Sequence, residues 1–600
     1  MNAEDTLCRP GGFHMTRELF ELAGLFGKKA PVRAADIGCG AGASIAYLRR
    51  LHPSWDIRGI DPDPKMRRDK TVDTGKAESL PYPASSLDAV LMECSLSKTG
   101  DPDQALRESL RVLKPDGWLL ISDLYARKKE LKTTFSAEGA RPGRLEYAKT
   151  IVSRLRRAGF SIMEMQDRSP ELIQWIGQKL LDGEAEALFG DPARDRERLK
   201  EAGCGYYICA AKPSALWETL RYAGEKSPFY REHLPKIPAA GDWESFLNLP
   251  FTTPEDIKNA PERFLCVNPR EIARIITIST SGTRGKPKRL YFTESDLLRT
   301  VSFFEKGMQY LVQRGDRVIV YMEGPGRFSV GGLLKEALGR IHIEVTVHGL
   351  IRDIEAAAAA AGGYTCFVGA PGQMRALAAA APHLRPKTVL LSGDYIPESV
   401  KRYLETIWSC TVFTHWGMTE TGYGGGVQCK SREGCHLRDG DLLLEIIDPA
   451  TGRPLPDGQY GEITITALRR EGMPLIRYRT GDLGRLTDKP CGCGCLKPRL
   501  DKIRGRLGDS IRLKNGSLIS MRILDELLFG MEGVQDFAAG FDKERETLTV
   551  EVMRQKAYQG EICGGVETRL RERYGDSLTI EVREGEISPY IGSGKRRIQV

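Results

Sequence analysis

The run RIITISTSGTRGKPKRLYFT, Arg274–Thr293, constrains this chain's fold more than any other stretch. An apolar, β-branched segment leads into Ser279, Thr280, Ser281, Gly282, Thr283, Gly285 and Lys286, and a second extended segment resumes after Pro287. Hydroxyls, glycine amides and a lysine gathered on one turn suit a polyphosphate. The spacing is not that of the Walker loop, whose glycines precede Lys-Ser/Thr and a helix. A second glycine turn lies far upstream, in RAADIGCGAGASIAYLRRL. There an apolar strand, Gly38, Gly40 and Gly42, and a helix follow in order. Glycines let the backbone approach a ligand closely, and a helix start offers free N–H groups. A dinucleotide fold would use Gly-x-Gly-x-x-Gly, so this turn serves a different ligand.

The remaining segments of the first 210 residues alternate strand and helix. DIRGID reads as a second strand ending in Asp61, an acid placed to accept both hydroxyls of a ribose. GKAESLPYPASSLDAVLMEC supplies a turn and a strand ending near Cys94, and LRVLKPDGWLLISDL supplies helix, turn and strand. GFSIMEMQD and GYYICAAK add two more strands. This order, with DIGCG, GID, LPYP…LDAV and LKPDGWLLISD, resembles class I S-adenosylmethionine-dependent methyltransferases over residues 1–211. The resemblance implies a Rossmann-like α/β domain. It also implies that Asp36, Gly38, Gly40 and Gly42 hold the methionine part of S-adenosylmethionine, that Asp61 takes the ribose, and that Ala77 and Glu78 border the adenine. ECSLS stands where enzymes methylating nucleic-acid amino groups carry Asn/Asp-Pro-Pro-Tyr, which favours a small-molecule acceptor. His14 and Glu93 are the candidate bases. Arg9, in the loop CRPGG, either meets an acidic substrate or caps a helix.

Downstream of a Lys-Pro-Ser turn at 212–214, further motifs follow the phosphate-type loop in order. They are LLSGDYIP at 390–397, HWGMTE at 415–420, RYRTGDL, IRGRLGDSIRLKNG and GSGKRRIQV. Together they resemble adenylate-forming enzymes. LRYAGEKSPFYREHL and GPGRFSVGGLLKEAL narrow the resemblance to the phenylacetate–CoA ligase group. It implies a large α/β lobe over 212–506 and a small mobile α+β lobe over 507–600. Ser279 to Lys286 would cradle the phosphates of ATP, and Ser392, Gly393 and Asp394 would contact adenine. Trp416 would stack on adenine, and Asp482 and Arg506 would lie at the ribose. Thr419 would touch phosphate, Glu420 would bind Mg²⁺, and Lys595 would be the mobile lysine of adenylation. The implied reaction converts a carboxylic acid to acyl-AMP and then, with coenzyme A, to a thioester. Two positions depart from the family pattern: Gly508 replaces the first aspartate of the hinge, and Arg284 replaces a common threonine. Tyr364, Phe367 and Met374 either line the acyl pocket or belong to the core.

Composition bounds the alternatives. The net charge of +8 over 600 residues is too weak to argue for nucleic acid or a membrane surface as partner, and neither is expected. No apolar run approaches the roughly 20 residues that span a bilayer. The N-terminus lacks a signal-peptide pattern, so a cytoplasmic setting with reduced thiols is expected. Of 14 cysteines, five fall between Cys429 and Cys495, three of them in KPCGCGCLKP. Cys429, His436, Cys491 and Cys493 make a Cys₃His set, a composition common in closed structural zinc sites. Cys435 and Cys495 are left over as spare or competing ligands. The functional expectation is a bifunctional small-molecule enzyme. Two alternatives stay open: a ligase with a non-catalytic N-terminal scaffold, and an adenylating enzyme that loads a carrier protein.

Overall fold

Strand β4, Leu87–Glu93, is buried at every residue, as a parallel strand covered on both faces must be. Its residues alternate between two cores: Val90 and Met92 join one, and Ala89 and Leu91 join the other. The computed structural model describes residues 9–66, 70–135, 143–182, 197, 200–278, 287–324, 326–556, 558–575, 578–586 and 596–599. It divides into two compact units. The first is Met1–Glu218 with Pro238–Asn248 and Asp488–Pro498, and the second is Thr219–Ile237 with Leu249–Thr487 and Arg499–Val600.

In the first unit, β1 (Arg33–Ile37), β2 (Asp56–Asp61), β3 (Val72–Thr74), β4 and β5 (Leu113–Ala126) pair in parallel. A small ribbon, β6 (Leu131–Phe135) and β7 (Gly143–Leu145), stands apart. Strands β8 (Phe160–Asp167) and β9 (Cys204–Pro213) complete the sheet in the order β3-β2-β1-β4-β5-β9-β8, with β9 antiparallel to both neighbours. The order reverses between β1 and β4, which opens a crevice at their carboxyl ends. The edge strand β8 is covered by the Asp488–Pro498 segment. Leu496 N–H donates to Met165 C=O at 3.0 Å, Asp167 N–H donates to Gly494 C=O at 2.8 Å, and the Leu496 side chain enters the core. An edge satisfied in this way no longer offers a template for pairing.

In the second unit, β10 (Ile272–Ile278) and β11 (Lys288–Thr293) form an antiparallel ribbon. Strands β12 (Arg317–Tyr321), β13 (Glu344–Val347), β14 (Cys366–Gly369), β15 (Thr388–Leu391) and β16 (Thr411–Trp416) form a parallel block ordered β13-β12-β14-β15-β16. Gly426–Gln428, Cys435–Leu437, Arg499–Leu500 and Leu486–Thr487 extend it antiparallel. One face packs Ile319, Phe367, Val389 and Trp408 into a core continuous with Leu528, Val550 and Leu570 of the C-terminal segment. Arg375, almost wholly buried, donates to Val534 C=O and, at 2.5 Å, to Gln535 C=O. The other face packs Val318, Val320, Val368 and Leu390 beneath the helices Glu294–Met308 and Val330–Arg340. Among the described residues, no helix is long and apolar enough to cross a membrane.

Candidate active sites

At the carboxyl end of β1 the chain turns through Gly38, Gly40 and Gly42, with φ of 77°, 54° and 81°. A side chain at Gly38 would also meet Ser95 Cβ at 2.5 Å. Asp61, at the end of β2, ties this loop down: one carboxylate oxygen accepts Gly40 N–H at 2.8 Å and the other accepts Asp63 N–H at 2.9 Å. Each oxygen keeps a lone pair, so the pair fits two ribose hydroxyls. Glu78 accepts Asp101 N–H at 3.0 Å, just ahead of the helix Pro102–Val112, and Ala77 packs against the core.

Asp36 lies buried on β1, and burial together with the neighbouring Glu93 charge pushes its carboxyl up to about 8. Glu93 is the most heavily engaged acid of the site. Thr16 and Ser44 hydroxyls donate to it at 2.9 and 2.7 Å, and Arg9 lies 3.0 Å away. The same Arg9 nitrogen donates to Thr16 and Ser44. Arg9 thus closes a four-residue network around Glu93. The partner lies 84 positions away, on another strand, and no local motif announces it. His14 is exposed on its helix.

In the second unit, Ser279, Thr280, Ser281, Gly282, Thr283, Arg284, Gly285, Lys286 and Lys595 lie outside the described residues. The loop's ends are paired, Ile278 opposite Lys288. Lys288, which sequence reasoning passed over for Lys286, forms a buried ion pair with Glu420 and reaches Tyr478 Oη at 3.2 Å. The Tyr478 hydroxyl donates to the same Glu420 oxygen at 3.0 Å. Burial works against a charged Glu420, but Lys288, a backbone N–H and the Tyr478 hydroxyl together outweigh it and hold the carboxyl below its ordinary value. Burial and the Glu420 charge keep the Tyr478 phenol protonated. The other Glu420 oxygen is of the type that would hold Mg²⁺, an ion that takes oxygen ligands. Thr419 begins the short turn Thr419–Thr421 and is half-buried.

Beside this cluster, Asp482 is held from two sides. Trp416 Nε1–H donates to it at 3.1 Å, and Arg506 Nε lies 2.8 Å away. The structure thus brings three of the sequence-nominated nucleotide residues together, at the carboxyl end of β16. Ser392, at the end of β15, places its Oγ 3.0 Å from His415 Nδ1. Gly393 has φ of 94°, and Asp394 accepts the backbone N–H of Arg596 at 3.2 Å. Gly508 has φ of 80° with open space around it, so the backbone conformation, not crowding, favours glycine. Phe367 and Met374 belong to the core, and Tyr364 bonds Thr346 at 2.6 Å. The apolar pocket lies on the opposite sheet face, lined by Phe303, Phe304, Met308, Leu334, Val368 and His415 among others.

Cys429 and His436 belong to the second unit, and Cys491 and Cys493 to the Asp488–Pro498 segment of the first. Three thiols and an imidazole are donor types that a structural zinc takes. Two further cysteines lie nearby in sequence. Burial pushes the Cys435 thiol up to about 12, and it donates to Thr414 C=O. Cys495 forms a backbone bridge with Gln166.

Comparison with known proteins finds two families in the chain. Residues 35–121 match the family described as methyltransferase domain, and residues 192–467 match AMP-binding enzyme. A phenylacetate-coenzyme A ligase of Thermus thermophilus is 28% identical over 338 residues, covering 53% of this chain and 75% of the relative. A demethylmenaquinone methyltransferase of Lactobacillus johnsonii is 34% identical over 110 residues, covering 15% of this chain and 45% of the relative. Among solved structures, 2-hydroxyisobutyryl-CoA ligase in its postadenylation state aligns with a TM-score of 0.55 at 20% identity, covering 64% of this chain and 87% of that one. That likeness carries the fold of the second unit.

Proposed function

We propose that this fusion of a methyltransferase domain with an AMP-binding enzyme activates a small apolar carboxylic acid with ATP and passes it to coenzyme A. On this reading its first unit moves a methyl group from S-adenosylmethionine to a small molecule. The observation that carries the ligase half is the adjacency of two clusters, Lys288–Glu420–Tyr478 and Trp416–Asp482–Arg506. They stand at the same sheet end as the apolar pocket.

The carboxylate attacks the α-phosphorus of ATP, the bond to the β-phosphate oxygen breaks, and pyrophosphate leaves. Asp482, fixed by Trp416 and Arg506, receives the ribose hydroxyls. Lys288 and Lys595 offset charge gathering on the phosphates. When bound at Glu420, Mg²⁺ adds positive charge at the phosphate oxygens. The thiol of coenzyme A then attacks the acyl carbon and AMP departs, with Arg506–Asp509 as the hinge between half-reactions. In the first unit the glycine loop and Asp61 orient the methyl donor, and transfer needs little beyond alignment. The Cys₃His set holds zinc as a structural ion.

The test uses the full chain. Acid-dependent pyrophosphate release followed by coenzyme A-dependent AMP release is expected. Labelled S-adenosylmethionine should bind, and binding should fall at least tenfold in Asp61→Ala. AMP release that ignores coenzyme A but responds to a carrier protein would overturn the thioester step. Absence of donor binding would reduce the first unit to a scaffold.

A further inference from the structure

His415, which borders the apolar pocket of the second unit, carries a ring nitrogen that no described residue satisfies. His415 lies on β16 and borders the cavity with Phe303, Met308, Leu334, Val368 and Leu390. Its Nδ1 is committed to Ser392 Oγ at 3.0 Å. On the Cε1 side the ring is so close to Gly417 that a Cβ there would stand 2.7 Å away. Nε2 is shielded from solvent and meets no hydrogen-bond partner among the described residues. A buried polar atom left unmet is costly, and natural proteins leave few of them.

We propose that His415 Nε2 reads a hydroxyl group on the acyl substrate, so that the acid this chain activates is an apolar one carrying a hydroxyl inside the pocket. This rests on the acid-activating reading above and sharpens it. The hydrogen-bond arithmetic selects the group. If Nδ1–H donates to Ser392, Nε2 needs a donor; if Ser392 O–H donates to Nδ1, Nε2–H needs an acceptor. A hydroxyl meets either requirement, whereas an ether or carbonyl meets only one. An ammonium group would bring an uncompensated charge into apolar surroundings. The imidazole does not itself act as a counter-ion for a carboxylate, because burial lowers its pKa to about 4 and leaves it neutral at pH 7. Ser392 acts through His415 as a positioning residue.

A pocket built to bond a substrate hydroxyl discriminates strongly against the analogue that lacks it. The experiment measures pyrophosphate release by the full chain with matched acids differing only in one hydroxyl: benzoic, phenylacetic and 3-phenylpropanoic acids beside their ring-hydroxylated counterparts. At least one hydroxylated acid should exceed its deoxy partner about tenfold or more in kcat/KM. That ratio should fall toward one in His415→Phe and be partly restored in His415→Gln, which keeps a donor and an acceptor at similar reach. Ratios within about twofold of one for every pair, with the acids nonetheless activated, would overturn the inference alone. So would a large ratio that survives in His415→Phe. Pyrophosphate release with none of the acids would overturn the acid-activating reading on which it rests.

Discussion

The two candidate sites balance their buried acids in opposite ways. In the first, Asp36, Asp61 and Glu93 stand near one another at the carboxyl ends of β1, β2 and β4, and Arg9 is the cation that tempers them. Asp36 responds by holding its proton. In the second, Glu420 has Lys288, Asp482 has Arg506 and Asp536 has Arg596. Glu420 stays ionised although it is no less buried. Burial alone therefore does not decide the charge of a carboxyl; its charged neighbours count as well. The difference also matches ligand charge: an acid-rich crevice suits a sulfonium donor, and a lysine- and arginine-rich one suits a nucleotide.

The largest effect should come from removing the cation of the second site. Lys288→Met leaves Glu420 buried without its partner, a change that typically costs about 3–5 kcal/mol. Acid-dependent pyrophosphate release should fall roughly 10²- to 10³-fold, and urea unfolding should show the lost stability. If Lys288→Met keeps full activity, the lysine is not what charges the site.

Metal loss should come next and leave the comparison untouched. Cys491→Ser is expected to lose one zinc per chain by elemental analysis and to lower Tm by roughly 5 °C or more, with the kcat of surviving enzyme unchanged. A fully stable, zinc-free protein would remove the structural role.

Ionisation separates the two sites by pH. Asp36 keeps its proton to about pH 8 when folded but loses it near pH 4 when unfolded. Its contribution to stability therefore falls as pH rises between those values. Asp36→Asn should be neutral near pH 4 and stabilising, by about 1–3 kcal/mol, at pH 8. Glu420 has the opposite sign: its folded pKa lies below the unfolded one, so its contribution is present above about pH 4.5 and is lost as pH falls further. Urea unfolding of the wild type and Asp36→Asn from pH 4 to 8 checks the slope.

The smallest expected effect is at the hinge. Gly508→Ala forces a side chain into the left-handed region and should cost about 1 kcal/mol, while slowing coenzyme A-dependent AMP release more than pyrophosphate release. Equal slowing of both would separate Gly508 from the step between them.

What was legible in the sequence was local. Gly38, Gly40, Gly42 and Asp61 sit on one strand–turn–helix unit and its neighbour, so short motifs and the family they resemble nominated them. Asp482 and Glu420 each lie in a short self-contained motif. The Cys₃His set was nominated because soft ligands are scarce and were clustered in two stretches. What was missed depends on distance and facing. Lys286 and Lys288 straddle Pro287, and only the pairing of β10 with β11 shows that Lys288 reaches Glu420. The Arg9–Glu93 network joins a loop to a strand far along the chain. The pocket wall comes from a helix whose apolar stripe reads in sequence like any core-facing helix, and alternation along β14 decides that Val368, not Phe367, borders it.

The cover on strand β8 has a consequence for synthesis. Its atoms are encoded about 280 residues after the rest of that sheet. At about 5–20 residues per second, translation reaches them some tens of seconds later. Throughout that interval the nascent first unit carries a bare sheet edge and lacks Leu496 in its interior. A chain cut after Glu218 is held permanently at that stage, so the methyltransferase half should be handled as part of the whole polypeptide, and chaperone engagement on the ribosome should peak before residue 498 emerges.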